Sequence, residues 1–213
     1  MSQTIQDRRE RQKAAQRDEL LKAAHQLVQE DGYEGLTIRK LATRAGYAPM
    51  SVYSYFADKH AILVALAEDH FALLARRLNR DFSVDPVDAL REGLLEYVDF
   101  ALESPNEYRT IFMSTEIDKD AEEFAEKEAG NPALRILIDR VDAAVAAGRL
   151  RGDTHAIATM LWTVAHGAIS LLIAFPHYPF GEPRQYAERV IAIALLGLSA
   201  AEVEPLVDTL PHC

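Results

Sequence analysis

Residues 37–59 read TIRKLATRAGYAPMSVYSYFADK. The stretch spells two short helices joined by a tight turn. Thr37 can cap the free backbone N–H groups of the first, whose Ile38, Leu41, Ala42 and Ala45 fall on one apolar stripe. Gly46 stops that helix, since glycine takes positive φ without a steric penalty. Tyr47 and Ala48 lead into the second helix, with Pro49 in its first turn, where no N–H is needed. Val52 and Phe56, four apart, turn inward. Met50, Ser51, Tyr53, Ser54 and Tyr55 are left to point outward in various directions, a set of groups suited to base edges and phosphates in a major groove. Lys59, just beyond, is placed for a phosphate, and Arg39 sits in the first turn of the preceding helix. Taken alone, the same pattern also describes an ordinary αα-hairpin with a glycine turn.

The flanks add specificity. Ala24 to Leu27 form the core of a preceding helix, followed by Gly32-Tyr33, Leu36-Thr37-Ile38-Arg39, Leu41-Ala42 and Ala45-Gly46. The run continues as Ser51-Val52-Tyr53-Ser54-Tyr55-Phe56, then Lys59 and Leu63. From Leu20 to Leu66 the chain resembles the DNA-binding domain of the TetR family of one-component transcriptional regulators. One departure is Pro49-Met50, where many members carry polar residues, so the base preference stays open. The resemblance implies an all-α fold with a three-helix helix-turn-helix domain over residues 1–60 and a helical effector-binding and dimerisation domain over 61–213. It also implies a homodimer on an inverted-repeat double-stranded operator, acting as a repressor released by a small molecule. Thr37, Arg39, Pro49, Met50, Ser51, Tyr53, Tyr55 and Lys59 are the expected DNA-contact residues.

Composition fits a globular chain. The 213 residues are 49% hydrophobic and 26% charged, so a sizeable core can be buried. The single cysteine, Cys213, rules out an intrachain disulfide and a thiolate cluster within one chain, which fits a reducing cytoplasm. Met1 to Arg17 is almost entirely polar and lacks a signal peptide's apolar core. A net charge of −10 looks wrong for DNA binding until it is divided along the chain. Residues 1–80 hold 13 Lys and Arg against 10 Asp and Glu, whereas the remainder holds 10 against 23. The acidity belongs to the second part, and a local basic surface is what phosphates require.

In chain order, Met1 to Gln16 read as a frayed basic arm, either a solvated terminus or a minor-groove arm. A helix from about Arg11 to Glu30 ends at Gly32, and a long one from Lys59 to about Asn79 carries His70 as a core or boundary histidine. Asp85-Pro86 opens a helix to Glu103, and a shorter one is expected around Asn106 to Met113. Ser114 to Gly130 reads as a loop with loose helix, and Asn131-Pro132 starts the next helix, which stops at Gly148. Ala156 to Phe175 contains no Asp, Glu, Lys or Arg and is long enough to span a membrane. His166, Thr159, Thr163, Ser170 and Gly167 dilute it, however, and no basic flank accompanies it, so a buried central helix is the expectation. Its Leu161-Trp162-Thr163-Val164-Ala165-His166-Gly167 resembles the Trp-His-Gly signature of one TetR C-terminal subfamily. A last helix runs from about Pro183 to Ala201. By the resemblance, the last two long helices meet their copies in a second subunit, and Gly167, Ala168, Ala192 and Gly197 would allow close approach.

No catalytic arrangement stands out: there is no P-loop, Gly-x-Gly-x-x-Gly, Gly-x-Ser-x-Gly or His-Glu-x-x-His. His155, Trp162 and His166 share a face, but without neighbouring carboxylates or cysteine they read as core and not as a metal site. No metal or cofactor is expected. Two rival readings are a helical protein-interaction module and a small helical enzyme on an apolar substrate. By the resemblance, Tyr97, Phe100, Tyr108, Phe112, Met113, Met160, Trp162 and His166 lie on helices that surround an effector cavity. Aromatics and methionines suit a largely apolar or aromatic ligand, and His166 could fix its orientation.

Overall fold

The computed structural model describes residues 2–113 and 131–205, with side chains from residue 6 onward. The stretch 114–130, read above as a loop with loose helix, lies outside these residues, as does Cys213. The described elements are α1 (Ser2–Gly35), α2 (Ile38–Ala45), α3 (Pro49–Val52), α4 (Lys59–Leu78), α5 (Pro86–Glu103), α6 (Pro105–Phe112), α7 (Pro132–Ala146), β1 (Arg151–Gly152), α8 (Thr154–Ala174), α9 (Pro183–Ala200) and β2 (Glu202–Val203). The fold is all-α apart from the short pairing of β1 with β2. Two compact units share it, and they divide the chain elsewhere than after residue 60. The first holds α1 to α3, α4 up to His70, and α6; the second holds α4 from Phe71, α5, α7 to α9 and both strands.

The first unit is built on helical spacing. Leu20, Ala24, Leu27 and Val28 of α1 are buried with Leu36, Leu41, Ala42, Val52, Phe56, Ile62, Leu63 and Leu66. Gly32, at φ 68° and ψ −163°, interrupts the helical backbone of α1 and lets the chain turn toward Leu36, whose N–H bonds Tyr33 O at 3.1 Å. α6 packs on α1: Tyr108 is fully buried, and Asn106 Nδ2 donates to Gln29 O at 2.8 Å. The basic N-terminal stretch is helical rather than frayed, being the first turns of α1.

In the second unit α5 packs against α7, α8 and α9, and α8 packs against α7 and α9. Asn131, Asp153 and Glu182 cap α7, α8 and α9, each side chain accepting from backbone N–H groups of the first turn. Helix α8 is long and apolar enough to cross a membrane, and half of its most apolar stretch is buried within the fold, including Ile157, Leu161, Ala165, Ile169 and Ile173. Arg140 of α7 donates to Leu78 O at 2.5 Å, satisfying a carbonyl at the end of α4, and its guanidinium lies 4.1 Å from the Phe82 ring centroid. β1 and β2 pair in parallel, Arg151 with Glu202 and Gly152 with Val203. Gly152 sits at φ 116°, and a Cβ there would lie 2.0 Å from Val203 O, so only glycine fits this crossing.

Candidate nucleic-acid interface

The turn between α2 and α3 is set by local chemistry. Thr37, with extended backbone, accepts from Lys40 N at 3.1 Å through Oγ1 and so caps α2. Gly46 ends α2 at φ 75° and ψ 26°. Its N–H bonds Thr43 O at 3.4 Å and the Tyr47 N–H bonds Ala42 O at 2.9 Å, the paired bonds of a Schellman motif. Pro49 opens α3, and after Val52 the turn continues through Ser54 N to Ser51 O and Phe56 N to Val52 O. Val52 and Phe56 are buried as the spacing predicts. On the outside, Met50 is 77% exposed and Tyr53 50%, with Pro49, Ser54, Thr37 and Arg39 also exposed and Ser51 half-buried. Arg39 forms no ion pair among the described residues.

Two of the expected contact residues are turned inward. The Tyr55 hydroxyl donates to Gln16 Oε1 at 2.7 Å, and its ring meets Tyr47 edge-on at 6.5 Å. The Lys59 ammonium lies 3.4 Å from the Tyr33 ring centroid and donates to Tyr33 O at 3.1 Å. Both groups brace the helix pair from behind. Gln16 does so with Arg17, whose guanidinium is 5.1 Å from the Phe56 ring centroid, and Glu19 accepts from the Tyr47 hydroxyl at 2.8 Å. These α1 residues were not singled out from the sequence. Their signal was only their place within one turn of Leu20, the first buried residue of α1.

A second polar group sits where α1, α4 and α6 meet. His25 Nδ1 is 2.7 Å from Glu107 Oε1, and Nε2 is 3.0 Å from Asp69 Oδ2. A carboxylate only accepts, so both contacts are hydrogen bonds only when the imidazole carries both protons. Burial alone would lower the His25 pKa, but the bonds and charges of Glu107 and then Asp69 outweigh it and raise it. Burial likewise works to raise Glu107, and the bond and charge of His25 hold it below its ordinary value. His70, 2% exposed and 4.0 Å from Glu107, is pushed down to about 4, chiefly by burial. It is thus the core histidine that its place on the α4 stripe suggests.

The residues expected around an effector divide between the two units. Tyr108, Phe112 and Met113 belong to the first, where the Tyr108 and Phe112 rings stack at 4.6 Å and Met113 is 42% exposed. Tyr97, Phe100, Met160, Trp162 and His166 belong to the second. Tyr97 and Phe100 are buried in α5, the Trp162 and His166 rings are 6.0 Å apart, and burial lowers the His166 pKa. A cleft of about 260 Å³ in this unit is lined by Arg80, Glu96, Asp99, Arg184 and other charged groups, so it is not the aromatic cavity expected above. Of the expected contact face, Ala192 and Gly197 are exposed on α9 beside Ile193 and Leu196, and Gly167 has open space where a Cβ would be. Ala168 is buried within its own subunit. Among the described residues no group of histidine, cysteine and carboxylate side chains is placed to hold a metal.

Residues 20–66 match the family model for bacterial regulatory proteins of the tetR family, and residues 90–194 match that for a tetracyclin repressor-like C-terminal domain. The HTH-type transcriptional repressor AcnR of Corynebacterium efficiens is 30% identical over 163 residues, 73% of this chain and 81% of that protein. The chain belongs to the TetR family. Among solved structures, a Rhodococcus sp. RHA1 protein of unknown function superposes with a TM-score of 0.73 at 26% identity, covering 86% of this chain and 95% of that one. FadR of Bacillus subtilis, solved with stearoyl-CoA, shares the fold with a TM-score of 0.70 at 17% identity, over 84% of this chain and 97% of that one. This TetR-family protein is a DNA-binding transcriptional regulator, with its helix-turn-helix in the first unit and a tetracyclin repressor-like C-terminal domain over residues 90–194.

Proposed function

We propose that this TetR-family protein is a cytoplasmic repressor that binds an inverted-repeat operator as a homodimer and is released by a largely apolar small molecule. The observation that carries the DNA half is the exposed flank of α3. Met50 in α3 and Tyr53 at its C-terminal end are exposed, whereas Val52 and Phe56 of the same helix and following turn are buried, and the entry is fixed by Gly46 and Pro49. Exposed apolar and aromatic groups on such a rigid mount suit thymine methyls and the sugar-phosphate edge. Arg39 adds a charge with no partner of its own among the described residues. Ile193 and Leu196, exposed three apart on one face of α9, support dimerisation through the last two helices, since a contiguous exposed apolar patch marks an interaction surface. The apolar effector is supported by Trp162 beside a partly buried, neutral-leaning His166, and by the acyl ligand of FadR. Release follows if the ligand favours a conformation with lower operator affinity, by as much as its preference for that state.

The test is selection of duplexes from a random pool by the purified protein, followed by challenge of the complex with fatty acyl and aromatic compounds. An inverted repeat with half-sites about one or more helical turns apart is expected, with release accompanied by a change in Trp162 fluorescence. Enrichment of no sequence, or release with Trp162 unaffected and equal in the His166→Ala protein, would refute the respective half.

A further inference from the structure

His25 ties α1 to two other elements at once, and both ties fall where the chain changes unit. Among the described residues the chain passes between the units at His70–Phe71 in α4 and at Glu103–Ser104 ahead of α6. Asp69 stands just before the first crossing, and Glu107 lies in the first turn of α6, just after the second. The charged and titratable groups that face the imidazole are Glu107 from α6 and Asp69 and His70 from α4; on α1 itself, the Gln29 side chain also bonds Glu107.

Neither carboxylate can donate, so the two contacts together need two N–H groups on one ring, which only the imidazolium has. A neutral ring keeps a single N–H. It serves one carboxylate, turns a lone pair toward the other, and no longer balances the charge of the buried Glu107. His70 does not take over that task, because burial keeps it neutral. The His25 side chain is 22% exposed, so its proton has a way to water. We propose that His25 is a proton-operated latch: its imidazolium fastens both crossings to α1, and loss of the proton loosens them and lowers the affinity for DNA. This rests on the DNA-binding reading above and adds a control to it. A dimer meets two half-sites together only when each helix-turn-helix is held in place on its own subunit. A loosened one must be ordered again as it binds, and that entropy is lost from the affinity. The sign follows from the raised His25 pKa: the latch is closed below 6.5, the unfolded value, and opens as the pH rises through the folded one.

The test takes three readouts on the full-length protein, from about pH 6 to about pH 9 at constant salt. They are the titration of the His25 ring by NMR, assigned by its absence from His25→Gln; the exchange protection of the α6 amides from Tyr108 to Phe112; and the anisotropy of a labelled duplex selected by the parent. A charge-assisted hydrogen bond is about twice as strong as a neutral one, so α6 protection should fall about tenfold through the His25 titration, while that of α2 stays constant. DNA affinity should fall about threefold over the same interval. In His25→Gln, α6 protection should stay at the low level, and neither quantity should follow pH. Asp69→Asn removes only the more exposed carboxylate and keeps the fold; it should move the His25 titration, and the loosening of α6 with it, to lower pH. Protection of α6 that is constant through the His25 titration, that falls equally in His25→Gln, or that ignores the shift in Asp69→Asn overturns the latch. Loosening of α6 with unchanged DNA affinity overturns its control of binding. A parent that binds no duplex at any pH overturns the DNA-binding reading, and the α6 exchange then still decides for or against the latch.

Discussion

Replacing His25 tests whether α6 is held to the DNA-binding helices by charge. In the folded unit the imidazolium bridges Glu107, 9% exposed, and Asp69, 50% exposed. The Asp69 contact lies in water and contributes little, at most about 1 kcal/mol. The Glu107 contact is buried, so removing its partner leaves a desolvated carboxylate at a cost of about 3 kcal/mol, the lower end for a broken buried pair because His70 stands nearby. A double-mutant cycle on His25→Gln and Glu107→Gln, read by urea unfolding under far-ultraviolet circular dichroism, should give a coupling of about 2–3 kcal/mol near pH 6. The signs follow from the shifts. The His25 pKa is raised, so its contribution is complete below 6.5, the unfolded value, and is lost as pH rises through the folded one. That of Glu107 is lowered, so its contribution is present above 4.5 and is lost as pH falls through the folded value. The coupling should therefore be greatest between 4.5 and 6.5 and fade as pH rises through the folded His25 value. A coupling under about 0.5 kcal/mol at pH 6, or one that does not change with pH, would show that packing of Tyr108 and its neighbours, and not charge, seats α6.

Three further outcomes are expected. Gly46→Ala should destabilise by about 1–2 kcal/mol, since the added Cβ meets open space and the whole cost is the left-handed backbone; Gly46→Asn should recover part of it in thermal melts. Ile193→Glu/Leu196→Glu should yield a folded monomer in light scattering, whereas a charge at the internally buried Ala168 should unfold the chain, and an intact dimer for the first variant would place the interface elsewhere. Gly93→Ala sets a Cβ 2.2 Å from Arg140 Nη1, so the guanidinium must move off Leu78 O, at about 1–2 kcal/mol; a second substitution, Arg140→Ala, should then add less than it does alone.

What could be read from the sequence was what is decided within a few residues. Thr37, Gly46 and Pro49 act through their own backbone geometry and that of the next turn, so cap, stop and start were visible without a partner. The burial of Val52 and Phe56 followed from spacing alone. Spacing points Tyr55 and Lys59 outward because it places a Cβ but not the end of a long side chain, and both reach back to α1, to Gln16 and Tyr33. The His25, Asp69 and Glu107 cluster joins positions 44 and 82 apart, a pairing no local pattern carries. In α8 nearly every residue is apolar or small, so composition could not choose its face, and one residue's turn of about 100° separates open Gly167 from buried Ala168.

The parallel pair of β1 and β2 gives α8 and α9 a topology that their packing alone would not. Asp153 N bonds Val203 O at 2.7 Å next to the Gly152–Val203 register, so the chain from 153 to 202 begins and ends at one point. The two helices are cyclised without a covalent bond. Closing a ring of this size costs entropy that grows only with the logarithm of its length, so a few hydrogen bonds suffice to hold it shut. Such a fastening is expected to open as a unit, so that the Asp153 amide proton exchanges with solvent in the same event that frees β2 from β1.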